Sequence, residues 1–222
     1  MDIHDREVSL ARMPLAVGPK HVNLPKKSLY LRGGKRFVDV MASMVALLVL
    51  SPIILIISAC ILILDGRPVL FRHVRPGLDH RPFELIKFRT MITDSDGPDA
   101  LRTTRLGHWL RRFSLDEIPE FWNVLKGDMS VIGPRPLLFE YLTSYTAKES
   151  ARHSIRPGLS GWAQVNGRNS LSLQEKVALD LWYIENVSLA LDLRIAFETL
   201  ATVVRQRGID PTIGDADEKP TS

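Results

Sequence analysis

Asp116 and Glu117 are adjacent acids within the run RRFSLDEIPEFWNVLKGDMSVIGPRP, residues 111–136. Arg111 and Arg112 stand just before them, and Arg135 lies further on, between two prolines. Neighbouring carboxylates suit a divalent cation such as Mg²⁺, which takes oxygen ligands and uses few protein groups. A carboxylate kept ionised can also attack a phosphoryl centre as a nucleophile. The arginines fit the same chemistry, since a guanidinium fork grips two phosphate oxygens at once, and flanking prolines restrict the Arg135 backbone.

The local pattern also has a purely structural account. Ser114 and Glu117 match an S-x-x-E capping box, with the serine as N-cap and the glutamate three residues in. That spacing predicts a helix whose second position is Asp116, inside the positive end of the helix dipole, where phosphate is attracted. Gly127 after Lys126 reads as the helix stop, and Pro119 in the second turn predicts a tight or kinked start. A capping box explains Ser114 and Glu117 with no chemistry, but not Asp116 beside Glu117 or the three nearby arginines. On spacing alone both readings stand.

Other polar groups are placed for chemistry with less specificity. The run Phe83 to Thr90 reads as a strand ending in KFRTM, with Lys87 and Arg89 on one face; a solvated edge strand would use lysine in the same way. TDSDGPDA, residues 93–100, holds three aspartates, but the twelfth position counted from Asp94 is Arg105, which excludes a calcium loop. It reads as a polar loop. IRPGLSGWAQVNGRN carries Gly158, Gly161 and Gly167 between Arg156 and Arg168, with Gln164, Asn166 and Asn169 as hydrogen-bonding groups. Such a loop turns freely and lets a ligand approach closely, although glycine-rich polar loops are often only turns. The six histidines are scattered and match no zinc spacing.

These residues need elements to position them. From Phe37 to Leu64 the chain is apolar except for Asp39, long enough to cross a bilayer, which takes ~20 residues. Ser51-Pro52 interrupts it at the middle, where proline removes an amide and the serine hydroxyl can occupy the freed backbone group. Each half is then ~20 Å long at 1.5 Å per residue. Lys26, Lys27, Arg32, Lys35 and Arg36 precede the segment, and Arg67, Arg72 and Arg75 follow it. The positive-inside rule keeps both flanks cytoplasmic, which favours a helix that enters and leaves on one face over a kinked span. Val69 to Val74 and Phe83 to Thr90 pair as a hairpin with Pro76-Gly77 in the connection. Leu101 to Phe113 reads as a basic amphipathic helix whose Trp109 suits a membrane interface, or an ordinary core-packed helix. Leu137 to Arg152, Leu173 to Asn186 and Leu189 to Arg207 read as helices.

SLDEIPEFWNVLKGDMSVIGPRPLL and RPGLSGWAQVNGRN together closely resemble the bacterial sugar transferases, and within them the small monotopic phosphoglycosyl transferases. The resemblance covers about Lys35 to Gly208. It implies transfer of a phosphosugar from a UDP-sugar to undecaprenyl (polyprenyl) phosphate with release of UMP, the first membrane step of bacterial glycoconjugate assembly. In that family the reaction is ping-pong through a phosphosugar-aspartyl intermediate. Carried onto this chain, Asp116 is the nucleophile, Asp116 and Glu117 gather Mg²⁺, and Lys87, Arg111, Arg135 and Arg168 contact phosphates. The resemblance also makes Ser51-Pro52 the break of a re-entrant membrane helix. It implies a place on the cytoplasmic face of the bacterial inner membrane, among membrane lipids.

Composition agrees with such a protein. The chain has 222 residues, 45% of them hydrophobic, and a net charge of +4, which suits an anionic partner. Its lone Cys60 excludes a disulfide framework. The expected fold is α+β, mostly helical with a small hairpin sheet. The expected organisation is a flexible lead (1–30), the re-entrant helix (31–66), a cytosolic catalytic domain with interfacial helices (67–208) and a disordered tail (209–222). The lead is too short for the extra membrane bundle of larger relatives. Further partners are a second copy of the chain or downstream glycosyltransferases. A catalytically inactive membrane adaptor is the alternative function. Nucleic-acid binding is disfavoured, because the basic residues cluster near carboxylates and glycine loops rather than forming a stripe with aromatic platforms.

Overall fold

A computed structural model describes residues 30–92, 102–167 and 170–205. The expectations for the lead up to residue 29, including Lys26 and Lys27, for the 93–100 loop, for Arg168 and Asn169, and for the tail lie outside the described residues. Among the described residues the chain is mostly helical, with two small two-stranded sheets.

The apolar segment forms one helix, α1 (Lys35–Leu64), ~45 Å long at 1.5 Å per residue. Only 11% of its most apolar window is buried, so it is not the core helix of a soluble domain. Leu48, Val49, Leu55, Ile56 and Ile63 are all exposed. The interruption expected at Ser51-Pro52 is repaired locally, so the helix continues through Pro52 instead of ending there. Proline has no amide to offer Leu48 O, and the Ser51 hydroxyl donates to that oxygen at 2.8 Å.

Both ends of α1 are fastened to the same domain. At the start, Arg36 donates to Val124 O and Leu125 O. Asp39, buried despite its charge, accepts from Ser130 Oγ at 3.0 Å and Val131 N at 2.9 Å. Asp192 takes Tyr30 OH at 2.5 Å, Lys35 Nζ at 2.6 Å and Tyr183 OH at 2.7 Å. At the far end, Ile57 and Ile61 pack with Phe88, Leu110 and Ile118. Arg89 Nη2 donates to Asp65 O and Gly66 O just past the helix, at 2.6 and 2.7 Å.

The expected hairpin is present. β1 (Leu70–Pro76) pairs antiparallel with β2 (Pro82–Phe88), Phe71 opposite Lys87. Phe83 and Leu85 point to one face of β2 and pack against Val124 and Met129. Lys87 continues that row by the period of two, so it is buried with the core rather than solvated. The packing partner is α3 (Glu120–Lys126), which ends at Gly127 in the left-handed conformation, as its sequence predicts. Asn123 of α3 locks the two together: its Oδ1 accepts Ile86 N at 3.0 Å and its Nδ2 donates to Glu84 O at 2.6 Å. A side-chain amide thus stands in for a neighbouring strand.

Between them, α2 (Arg105–Arg112) is capped by Thr104, whose side chain accepts Gly107 N. A Cβ on Gly107 would lie 2.1 Å from Thr90 O, so only glycine lets this helix sit against the end of β2. Trp109 is exposed and stacks on Phe113 at 5.5 Å.

β3 (Ser130–Ile132) pairs in parallel with β4 (Gly158–Ser160), a sheet that periodicity did not reveal. The crossover between them departs from the helix expected over Leu137 to Arg152. It contains two 3₁₀ segments, Phe139–Thr143 and Glu149–Ser154. Thr146 and Glu149 form a reciprocal cap, with Glu149 Oε2 accepting Thr146 N and Thr146 Oγ1 accepting Glu149 N. That cap starts a new turn in mid-segment and prevents one continuous helix. After the short α4 (Trp162–Val165) come α5 (Leu173–Asn186), with a Ser172–Glu175 capping box, and α6 (Leu189–Arg205).

Candidate active site

Asp116 and Glu117 lie on a 3₁₀ turn, Leu115–Glu117, rather than on the first turn of an α-helix. The expected capping box at Ser114 is absent. Ser114 adopts φ 53°, ψ 26°, a left-handed conformation, and its side chain caps nothing. The turn is closed by backbone bonds, Glu117 N to Ser114 O and Ile118 N to Leu115 O. Pro119 then takes the position before α3. A non-glycine residue held left-handed costs energy that the surroundings must over-determine, and here it sits two residues before the buried Asp116.

Glu117 is the hub of the site. Its Oε1 accepts from Arg135 Nη2 at 2.7 Å and from Lys87 Nζ at 3.2 Å. Lys87 Nζ also lies 3.4 Å from Glu120 Oε1, on a carboxylate that is 2% exposed. Three elements are joined this way: the end of β2, the turn with α3, and the Pro134-Arg135-Pro136 strip. Buried charges persist only when paired, and the pairing brings together Lys87, Glu117 and Arg135, three of the residues that the family resemblance singles out. Glu120 was missed. Its signal was its place four residues after Asp116, although only its burial and its contact with Lys87 in the fold distinguish it from a solvated helix acid.

The other expected site residues sit differently. Arg111 is tethered to Thr90, its Nε donating to Thr90 Oγ1 at 2.9 Å, while its Nη1 is buried without a hydrogen-bond partner. The glycine loop folds on the protein itself. A Cβ on Gly158 would lie 2.1 Å from Gly133 N, and one on Gly161 2.2 Å from Gly133 O. The close approach those glycines permit is therefore to the Gly133 backbone, not to a ligand. Arg156 Nε donates to Gly127 O at the end of α3, Gln164 Nε2 to Leu159 O, and Asn166 Nδ2 to Trp162 O.

The donor set can be tested against Mg²⁺. Among the described residues no three His, Cys, Asp or Glu side chains gather as a metal cage. Asp116 and Glu117 are nevertheless adjacent carboxylates on one turn, with Glu120 one turn further on. One or two carboxylates completed by phosphates and water is how Mg²⁺ binds at phosphoryl sites. Asp116 and Glu117 are donors of that type and would be the protein ligands.

A family model described as bacterial sugar transferase matches residues 30–206. The chain belongs to the bacterial sugar transferase family. It is 46% identical to the "Uncharacterized sugar transferase EpsL" of Bacillus subtilis, over 80% of this chain and 91% of that protein. It is 37% identical to a "UDP-glucose:undecaprenyl-phosphate glucose-1-phosphate transferase" of Caulobacter vibrioides, over 82% of this chain and 73% of the relative. An "Undecaprenyl-phosphate glucose phosphotransferase" of Komagataeibacter xylinus is 40% identical over 78% of this chain, but only 36% of that longer protein is covered.

Behind Arg135 this sugar transferase buries a histidine. The His153 and His80 rings lie 4.4 Å apart, tilted by 37°, and His153 Nδ1 lies 3.2 Å from Ser150 O, a carbonyl that can only accept, so Nδ1 carries the proton. Burial first, then the charges of Arg152 and His80, push its pKa down to about 2. The unfolded chain takes up a proton near pH 6.5 and the folded one does not. The neutral ring therefore contributes fully above pH 6.5, and stability falls as pH drops toward 2, by up to ~1.4 kcal/mol per pH unit. Denaturant unfolding of the detergent-solubilised protein at pH 7 and pH 5 is expected to show this loss. His153→Gln is expected to lose less between the two pH values; an identical slope in the variant would assign the loss to other groups, His80 among them, whose burial also lowers its pKa.

Proposed function

We propose that this chain transfers a phosphosugar from a UDP-sugar to undecaprenyl phosphate, releasing UMP, as the step that begins assembly of a bacterial polysaccharide or glycoprotein glycan. The observation that carries this reading is Glu117 shared between Lys87 and Arg135 beside the buried Asp116. The names of the Caulobacter and Komagataeibacter relatives support it. An Asp116 oxygen attacks the sugar-bearing phosphorus of the UDP-sugar, and the bond from that phosphorus to the bridging oxygen breaks, so UMP leaves with the electron pair. A phosphate oxygen of the lipid then attacks the same phosphorus, releasing the Asp116 carboxylate and forming the lipid diphosphosugar. Lys87 and Arg135 oppose the charge that builds on the phosphoryl oxygens. Asp116 and Glu117 would hold Mg²⁺, which would supply charge neutralisation of the diphosphate. Arg111 and Arg168 complete the proposed phosphate contacts. Incubating the purified chain and Mg²⁺ with undecaprenyl phosphate and a panel of UDP-sugars tests the reading. UMP release with one or more sugars is expected; none with any would leave an inactive membrane adaptor.

The same reading puts the chain on the cytoplasmic face of the inner membrane as a monotopic protein. Arg36 and Asp39 near one end of α1, and Ile57, Ile61 and the Asp65 carbonyl at the other, all contact one folded domain. A helix crossing ~30 Å of hydrocarbon puts its ends on opposite sides, where a single polar domain cannot reach both. A re-entrant course, with Ser51-Pro52 at the middle of α1, accommodates both sets of contacts. Cysteines introduced at Lys27 and Arg72, in a Cys60→Ser background, are both expected to resist an impermeant thiol reagent added to intact cells. Labelling of just one of them would establish a span.

A further inference from the structure

Residues 134–138 belong to no helix or strand, and Pro134 and Pro136 have no amide hydrogens to anchor them. Arg135 is therefore held largely through carbonyls, and three in succession accept hydrogen bonds. Gly158 N donates to Pro134 O at 2.9 Å, Arg152 Nη2 to Arg135 O at 2.8 Å, and Arg75 Nη1 to Pro136 O at 3.4 Å. The middle anchor stands apart. The Arg152 side chain is 1% exposed, and Asp180, its partner on α5, is 3% exposed. Asp180 Oδ2 accepts from Arg152 Nη2 at 2.6 Å and from Nε at 3.2 Å. Arg152 Nη1 reaches Tyr145 OH at 3.3 Å. A planar guanidinium pinned on all three nitrogens has a single orientation. The same Nη2 that holds Asp180 thus fixes the carbonyl of the residue whose own guanidinium grips Glu117 at 2.7 Å.

We propose, resting on the phosphosugar-transfer reading above, that Arg152 oriented by Asp180 is a positioning residue of the reaction: it sets the Arg135 backbone, and so the reach of the Arg135 guanidinium to Glu117 and the phosphates. It touches no reacting atom. Asp180 lies on α5, well outside the motifs that carry the acids, so the C-terminal helical layer takes part in building the site. Arg75 serves the same strip from β1.

Truncating Arg152 alone would strand a buried carboxylate and unfold the site. Two milder replacements separate position from folding. Arg152→Lys keeps a cation opposite Asp180 but loses the fork that also binds the Arg135 carbonyl. Arg152→Met with Asp180→Leu removes both charges, a replacement that folded proteins often tolerate. Both variants are expected to melt cooperatively and to lose kcat for UMP release by about tenfold, with KM for the UDP-sugar changed much less. In an Arg135→Lys background, Arg152→Lys is expected to cost less than about twofold more, because the group it positions is gone. Multiplicative losses in that cycle, or folded single variants with unchanged kcat, would overturn the proposal. A readout independent of turnover accompanies these. Phenylglyoxal is expected to modify Arg135 faster in both variants than in the wild type, as read by peptide mass spectrometry, and equal rates would also overturn it. A wild type that releases no UMP from any UDP-sugar would instead remove the functional reading, while the labelling rates still report whether Arg152 holds Arg135.

Discussion

Asp116→Asn is expected to release no UMP from a UDP-sugar and to acquire no covalent mass, whereas the wild type with UDP-sugar and Mg²⁺ alone releases one burst of UMP. A nucleophile must carry the phosphosugar before any lipid acceptor is present, and a pure metal ligand need not. The wild-type peptide containing Asp116 is therefore expected to gain the mass of one phosphosugar in the absence of undecaprenyl phosphate. Turnover in the variant is expected to fall by on the order of 10⁴-fold or more, the scale on which losing a nucleophile is felt. The substitution keeps the shape of the side chain, and the turn itself is closed by the backbone bonds from Glu117 N to Ser114 O and Ile118 N to Leu115 O. An unchanged melting temperature separates lost chemistry from lost folding. An adduct on Glu117 would reverse the roles of the two acids. No adduct at all, with turnover needing both substrates together, would replace the covalent route with direct attack by the lipid phosphate.

Lys87→Met is expected to destabilise the folded chain by about 3–5 kcal/mol and to abolish turnover, because one partner of a buried charge cluster is removed. Glu117 retains Arg135 at 2.7 Å, while Glu120, at 2% exposure, loses the ammonium 3.4 Å away and remains a buried carboxylate with less compensation. The two losses can be taken apart. Lys87→Met combined with Glu120→Leu removes the stranded carboxylate and is expected to recover much of the stability in denaturant titrations, with turnover still lost. Recovery of both would make Lys87 a packing residue only. No recovery of stability would mean that Glu117, not Glu120, bears the cost.

Local patterning made a large part of this molecule legible. The apolar run predicted α1, alternation predicted the β1–β2 hairpin, and Gly127 marked the end of α3 because a left-handed stop favours glycine. The S-x-x-E pattern occurs at Ser114 and again at Ser172, and only the second forms a capping box. The residues are the same and the surroundings differ. Ser172 opens a free fourteen-residue helix, whereas Ser114 must turn the chain out of α2 and into Pro119 within five residues. That turn demands a left-handed residue, and it carries the Ser114 side chain away from the amide it would have capped.

What the sequence by itself determined is therefore what depends on near neighbours: the long apolar helix, the hairpin, the stop at Gly127, and the family whose motifs hold Asp116, Glu117 and Arg135. What only the tertiary structure decided depends on partners distant in the chain. Lys87 became a buried ion-pair residue because its strand face, shared with Phe83 and Leu85, met the start of α3. Leu137 to Arg152 gave up a continuous helix, and its last residue turned inward to bond Asp180 and the Arg135 carbonyl. Gly158 and Gly161, which could have let a ligand approach, closed on Gly133 instead. Periodicity reports which face of an element is apolar, because that follows from the repeat of the backbone. It carries no record of which carbonyl, thirty or a hundred residues away, a buried guanidinium will meet, since that choice is made by packing, where every buried polar group must find a partner.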